Sequence, residues 1–404
     1  MSSNPLLDFV GSEEHLILRG RKSSIEKITN AIDKDIDLLV AGPPGSGRYF
    51  LVQTAAAQSR CETIIFDIDC IQATDRRSFI KLLCDAIGGI DDFKAGNLSA
   101  YLQDLVSQPD NKYLSINDDN RISVKVSDDS VHLEQCLNEV LQFTQGLAEL
   151  VNKRVLILFR NFTHIRAWEL EEAWELKLRK KVSVLQDVLY ILIGTTGELR
   201  EDKRRLSSHS KNAEINSLRK SLHDSFEIIE LLPLEDAVLT SFCDSKLSAS
   251  NLMFNPLDDS LQFFLEAVHG SFSDALALIE RIILLNQNKL SEDNGGRVVI
   301  GIQEVREAVE DLLKDLSTMC ETLLLMLPPR QAKLLTCLAL DPTDKPHSRE
   351  YVKKHNLYKG GTMQGALLGL QQKGLIYDVH QSYKVALPLL RLWIWKRNDP
   401  SFAH

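Results

Sequence analysis

The sequence predicts an α/β protein: a parallel sheet with helices on both faces, then an all-α segment, then a C-terminal winged helix-turn-helix. Three observations carry that prediction. A glycine-rich phosphate-binding pattern, Gly42-Pro43-Pro44-Gly45-Ser46-Gly47-Arg48-Tyr49, stands between an apolar run and a helix-forming stretch. Continuous apolar runs then alternate with amphipathic helical stretches, as in a parallel sheet buried on both faces. The end of the chain reads helix, helix, helix, hairpin.

At 404 residues the chain exceeds one ordinary core, and two or three domains are expected. The pattern places their boundaries at 1–232, 233–319 and 320–404.

The first strand is Asp37-Leu38-Leu39-Val40-Ala41, and Phe50 to Ala57 opens the helix after the loop. Further strand-like runs are Thr63 to Asp67, Val155 to Phe159, Val188 to Ile193 and Phe226 to Leu231. His132 to Leu150 is a helix, with Leu133, Cys136, Val140, Phe143 and Leu147 near one face. Between Leu102 and Val131, alternation around Asp118-Asp119-Asn120 predicts a β-hairpin.

From Pro233 to about Asp315 the pattern is wholly helical. Three helices follow: one around Leu334 to Ala339, one from Ser348 to His355 with Ser348 as its cap, and one from Thr362 to Lys373. Leu375 to Val379 and Ser382 to Val385 then form two short strands.

The phosphate loop lacks two residues of the usual pattern. Arg48 stands where a lysine would reach the outer phosphates, and its guanidinium is a planar fork, not a compact point charge. Tyr49 stands where a small hydroxyl would hold magnesium, with its oxygen at the end of a ring. The strand ending at Phe159 should supply an acidic pair, and Arg160-Asn161 follows. Arginine cannot ligate magnesium, and asparagine is no base at neutral pH. Asp67 and Asp69 end a different strand, expected to face the wrong part of the sheet.

ATP or ADP is therefore the cofactor the loop calls for, and magnesium is the one it argues against. No residue is given a catalytic or metal-ligating role. Gly194-Thr195-Thr196-Gly197 should lie beside the loop, either sensing phosphate or serving as a glycine-bounded turn. Arg200, Lys203, Arg204 and Arg205 read as a solvated cluster or an arginine finger for a neighbouring subunit.

The total charge of −9 hides an asymmetry. From Cys320 onward 12 Lys/Arg face 6 Asp/Glu, a net of +6, leaving −15 for the rest. A basic end permits contact with nucleic acid, with an acidic partner, or with the body of the protein itself. On the third helix Met363, Ala366, Leu367 and Leu370 should be core. Gln364 and Gln371 look outward, and Lys353, Lys354, Lys359 and Lys384 could touch DNA phosphates. Docking on a protein is the equal alternative.

The seven cysteines lack C-x-x-C spacing, which predicts buried thiols in a reducing cytoplasm, without zinc or disulfides. No apolar run is long enough to span a bilayer, and no secretory signal is visible at Met1.

The order of parts resembles the archaeal-type P-loop ATPases of the STAND/AAA+ group, related to archaeal replication initiators, over nearly the whole chain. Leu18-Arg19-Gly20-Arg21 resembles the Gly-Arg entry motif, which implies a place for Arg21 near adenine. Ile193-Gly194-Thr195-Thr196 is similar to the first sensor. The stretch from Gly361 to Val379 resembles the family's winged helix, and Tyr383 to Trp393 its ending, with Leu387 in place of an aspartate. The resemblance implies nucleotide contacts from Gly42, Gly45, Ser46, Gly47, Arg48, Tyr49, Arg21 and Thr195. It also implies an all-α lid, DNA binding by the winged helix, and self-association or pairing with a related ATPase.

The departures fall on Arg48, Tyr49, Arg160 and Asn161, and His269 to Asp274 lacks a sensor arginine. Two readings follow. One is a degenerate scaffold or regulator that binds nucleotide with little hydrolysis. The other is an active ATPase switch whose metal site a partner subunit, or Asp67, completes.

Overall fold

The computed structural model describes residues 20–88, 114–116, 122–124, 130–166, 173–197, 213–287, 297–357, 361–379 and 382–398, with a few single residues between them. The sheet strands are β1 (Asp37–Gly42), β2 (Thr63–Asp69), β5 (Arg154–Arg160), β6 (Val188–Thr195) and β7 (Phe226–Glu230). They pair in the order β2-β5-β6-β1-β7, all parallel.

The central strands β5, β6 and β1 are apolar at consecutive positions because both faces are buried, whereas the edge strands β2 and β7 are half-buried. In β1, Leu38 and Val40 point to one face and Leu39 and Ala41 to the other. On the first face pack α1 (Lys22–Asp33), through Ile28 and Ile32, and α2 (Arg48–Ala57), through Leu51, Val52 and Ala55. On the second pack α3 (Arg76–Gly88), α4 (Ser130–Val151) and α5 (Ala173–Val182), through Phe79, Val140 and Trp174 among others. A further helix, α6 (Ala213–Ser225), leads into β7. The hairpin expected between 102 and 131 is present as antiparallel β3 (Leu114–Ile116) and β4 (Ile122–Val124).

The next segment holds α7 (Asp236–Ala249), α8 (Ser260–Val268), α9 (Phe272–Leu285) and α10 (Ile302–Asp315). It is not wholly helical. Leu252–Phe254 (β8) pairs in parallel with Val298–Ile300 (β9), which closes the long connection after α9 back onto the body. Three-residue strands carry too short a period for sequence pattern to reveal.

The end of the chain runs α11 (Ser317–Met326), α12 (Pro329–Leu340), α13 (Arg349–Lys354), α14 (Gly361–Gln372), β10 (Ile376–Val379), β11 (Ser382–Val385) and α15 (Pro388–Asn398). Ser348 caps α13 as expected, its hydroxyl accepting from Tyr351 N at 3.1 Å. Met363, Ala366, Leu367 and Leu370 are all buried.

One apolar core joins this end to the helical segment. Phe242, Phe264, Leu278 and Val309 share it with Leu338, Leu370, Leu389 and Trp393. The cysteines are unpaired thiols, all buried except the half-exposed Cys61. No helix among the described residues is long and apolar enough to cross a membrane.

Candidate nucleotide-binding site

The loop after β1 leaves the carboxyl end of the sheet, where open α/β folds bind ligands. Gly45 and Gly47 take φ of 76° and 78°, a left-handed geometry that strains any residue with a Cβ. Gly47 is also the N-cap of α2. The loop thus leads into the positive end of a helix, with Ser46 N donating to Pro43 O at 3.2 Å within it.

Three orphaned side chains fit a phosphate-bearing ligand. Ser46 Oγ and Thr196 Oγ1 are buried without a hydrogen-bond partner among the described residues. So are Nε and Nη2 of Arg21, which precedes α1 and is 6% exposed. Burial pulls the Arg21 pKa down to about 10, so a partner for its charge would be gained, not exchanged. Thr195 lies level with Gly42 in the β1–β6 register, where the sensor position was expected. Arg48 turns toward the same strand end, its guanidinium donating to the Gly194 carbonyl.

The neighbouring corner is closed by contacts among its own side chains. β2 adjoins β5 with Asp69 opposite Arg160, so the expectation that Asp67 and Asp69 face elsewhere fails. Residues 67 and 69 share one strand face, and Arg160 reaches across both. Its Nε donates to Asp67 Oδ1 at 2.7 Å and its Nη2 to Asp67 Oδ2 at 3.1 Å. Its Nη1 lies 3.5 Å from Asp69 Oδ2, and Asn161 Nδ2 donates to Asp69 Oδ1 at 2.8 Å.

Tyr49 covers the cluster, with the Arg160 guanidinium carbon 5.2 Å from its ring centroid. Burial and the neighbouring Asp67 carboxylate push the phenol up to about 12. The Asp67 bond holds Arg160 above its ordinary range. Both carboxylates that could have replaced the missing acidic pair are thus bound to a cation already. Among the described residues no cluster of three metal-ligating side chains exists.

The lid and the winged helix both lie on the loop. Ser273 N donates to Gly45 O at 3.3 Å, and a Cβ on Gly45 would collide with Ser273 Oγ. Gly374, just beyond α14, approaches Thr195 and Pro44: a Cβ there would stand 3.1 Å and 3.8 Å from their side chains. Gly197 meets the Gln371 carbonyl so closely that no Cβ fits between them. The recess between Ser46, His269, Tyr377 and Pro388 has room for about one water molecule.

The residues expected to touch DNA are dispersed. Lys353 and Gln364 are exposed. Lys354 pairs with Asp341 at 2.8 Å. Gln371 is half-buried at the Gly197 contact. Lys384 donates to His269 Nε2 at 3.0 Å, across to the lid. Lys359, together with Arg200, Lys203, Arg204 and Arg205, falls outside the described residues.

Asp67 and Asp69 were weighed from sequence but placed on the wrong part of the sheet, and the contact of Ser273 with the loop was not foreseen. What the sequence could not show was that β2 lies beside β5.

Fold and loop together define the class: a P-loop ATPase fold, of the AAA+ type, carrying a C-terminal winged helix. Residues 318–396 match a family described as a probable winged helix domain. Among solved structures the chain is similar to the Walker-type ATPase PABY2304 of Pyrococcus abyssi. The identity is 15%, with 93% of this chain and 95% of that one covered at a TM-score of 0.61. It is also similar to the ORC2 protein of Aeropyrum pernix in its ADPNP–ADP complexes. There the identity is 12%, 94% of each chain is covered and the TM-score is 0.51. Likeness at such identities is a likeness of fold. No curated protein matches the chain by sequence.

Proposed function

We propose that this chain is a degenerate AAA+/STAND module that takes ATP or ADP without magnesium-dependent hydrolysis. It serves as a scaffold or regulator, engaging a partner through its winged helix. The observation that carries this reading is Arg160 spanning Asp67 and Asp69 beneath the Tyr49 ring, where a metal would need open carboxylates.

Nucleotide would be held by the backbone of Gly42, Gly45 and Gly47, by Ser46, and by Arg21 from the first helix. Thr195 and Arg48 would flank its phosphates. With Arg48 turned to the Gly194 carbonyl, the charge on the outer phosphates would come from the loop amides. The units 1–232, 233–319 and 320–404 would act as nucleotide domain, lid and partner-binding end. Lys353 and Gln364 are outward groups of the winged helix, while Lys354 and Lys384 are already bonded within the chain. The partner is a protein, a related ATPase subunit included, or duplex DNA met by the net +6 of this end.

A titration of fluorescent ATP and ADP, with magnesium and with chelator, tests the reading. Affinity should change by less than about twofold between the two conditions. Tightening by about tenfold or more with magnesium, with hydrolysis that Arg48→Ala abolishes, would instead establish the active switch completed by a partner.

A further inference from the structure

A recess lined by basic side chains lies between the helical segment and the wing, outside the phosphate loop. His269 ends α8, Lys384 stands on β11 and Arg391 on α15, and all three line one recess of about 140 Å³, open to solvent. Leu338, Pro342 and Val385 supply its apolar wall. Lys384 Nζ donates to His269 Nε2 at 3.0 Å, which spends its charge on a neutral imidazole. Arg391 donates to the Glu266 carbonyl oxygen at 3.3 Å. No carboxylate forms an ion pair with Lys384 or Arg391 among the described residues. The charged and titratable groups nearby are Asp236, which faces His269, and Glu266 and Tyr377, which face Arg391. Asp274 is occupied by accepting from Leu389 N at 3.4 Å.

Two cations without an ion-pair partner among the described residues face one concave, half-apolar recess, an arrangement that suits an anion. Burial, and then the two neighbouring cations, hold His269 below the ordinary imidazole range. A bound anion would offset the second effect.

We infer that the Lys384–His269–Arg391 recess binds a small phosphate, free or as the monoester of a small organic molecule. The guanidinium forks two phosphate oxygens, the ammonium takes a third, and the aliphatic wall receives the organic body. Concavity favours a compact monoester over the convex backbone of duplex DNA. None of the loop residues 42 to 49 lines this recess, although His269 and Pro388 also border the small recess at Ser46.

Inorganic phosphate titrated into the full chain, followed by phosphorus NMR, tests the inference. Saturable binding is expected, weakened about tenfold or more by Lys384→Met and by Arg391→Lys, and retained in Gly47→Val. Arg391→Lys keeps the charge and the packing, so its loss of affinity reports the fork and not unfolding. Binding that vanishes in Gly47→Val but survives both recess variants would place the phosphate at the loop and overturn the inference. No saturation by roughly 10 mM would overturn it as well. Displacement of phosphate by a short duplex DNA at lower concentration would overturn the small-molecule assignment. A failure here leaves the nucleotide reading standing, since that rests on the magnesium titration.

Discussion

The cradle at 42 to 47 is made of backbone, and the corner beside it, at 49, 67, 69 and 160, is made of side chains. The cradle keeps the left-handed glycines and a helix N-terminus that a phosphate needs. In the corner, every group that would face magnesium has instead been joined to another protein group. Backbone geometry is specified by where glycine stands, so it survives changes around it. Metal binding depends on single side chains and is sensitive to each of them. The contrast teaches that binding and reaction are separable parts of such a site.

The largest expected effect would break the cradle alone. Gly47→Val forces a β-branched residue to φ near 78°, and nucleotide affinity by fluorescence titration should fall about a hundredfold or more. An unchanged affinity would mean that nucleotide, if bound, sits elsewhere.

Arg160→Ala attacks the corner. Two carboxylates are then left beside each other without their cation, costing about 2 kcal/mol in urea unfolding, a figure reduced for partial exposure. The same variant should gain a magnesium-dependent rise in Tm that the unaltered chain lacks. If both proteins respond alike, the corner is not closed to metal.

The strand that carries the cradle begins at a titrating group. Burial raises the Asp37 carboxyl to about 7, against the pull of Tyr190 N, which donates to it at 3.0 Å. A raised acid pKa means the folded state holds the proton longer than the unfolded one. Its contribution is therefore complete below pH about 4 and is lost as pH rises toward 7. Asp37→Asn should remove a slope approaching about 1.4 kcal/mol per pH unit in that window, measured by denaturation across pH. Parallel curves for the two proteins would contradict the burial argument.

Tyr49→Phe is the smallest change. It keeps the ring over Arg160 and removes the hydroxyl beside Asp67, costing about 1 kcal/mol of stability. A much larger loss would mean that the phenol, and not the guanidinium, organises the corner.

Most of the fold was legible because burial imposes period. The five sheet strands, the Ser348 cap and the buried face of 363 to 370 follow from local patterns, and each is present. What the pattern could not carry was adjacency. Asp67 and Arg160 are far apart in the chain, and only the strand order puts them side by side. The same holds for Gly197 against Gln371, where a glycine read as a turn residue turned out to be a contact surface. Arg160 was read as a metal position lost; it is also a bond made.

The apolar core running from Phe242 to Trp393 has a mechanical consequence. Two units that share one interior cannot bend against each other without exposing it, so they travel as a single rigid arm. The phosphate loop lies beneath that arm, pinned by Ser273 at one point and by Gly374 at another. Chain leaves the sheet for the arm through the extended stretch 231–235, which contains no helix or strand. Any uncovering of the loop must therefore pivot there, and a few degrees at that hinge would sweep the whole wing away from Thr195.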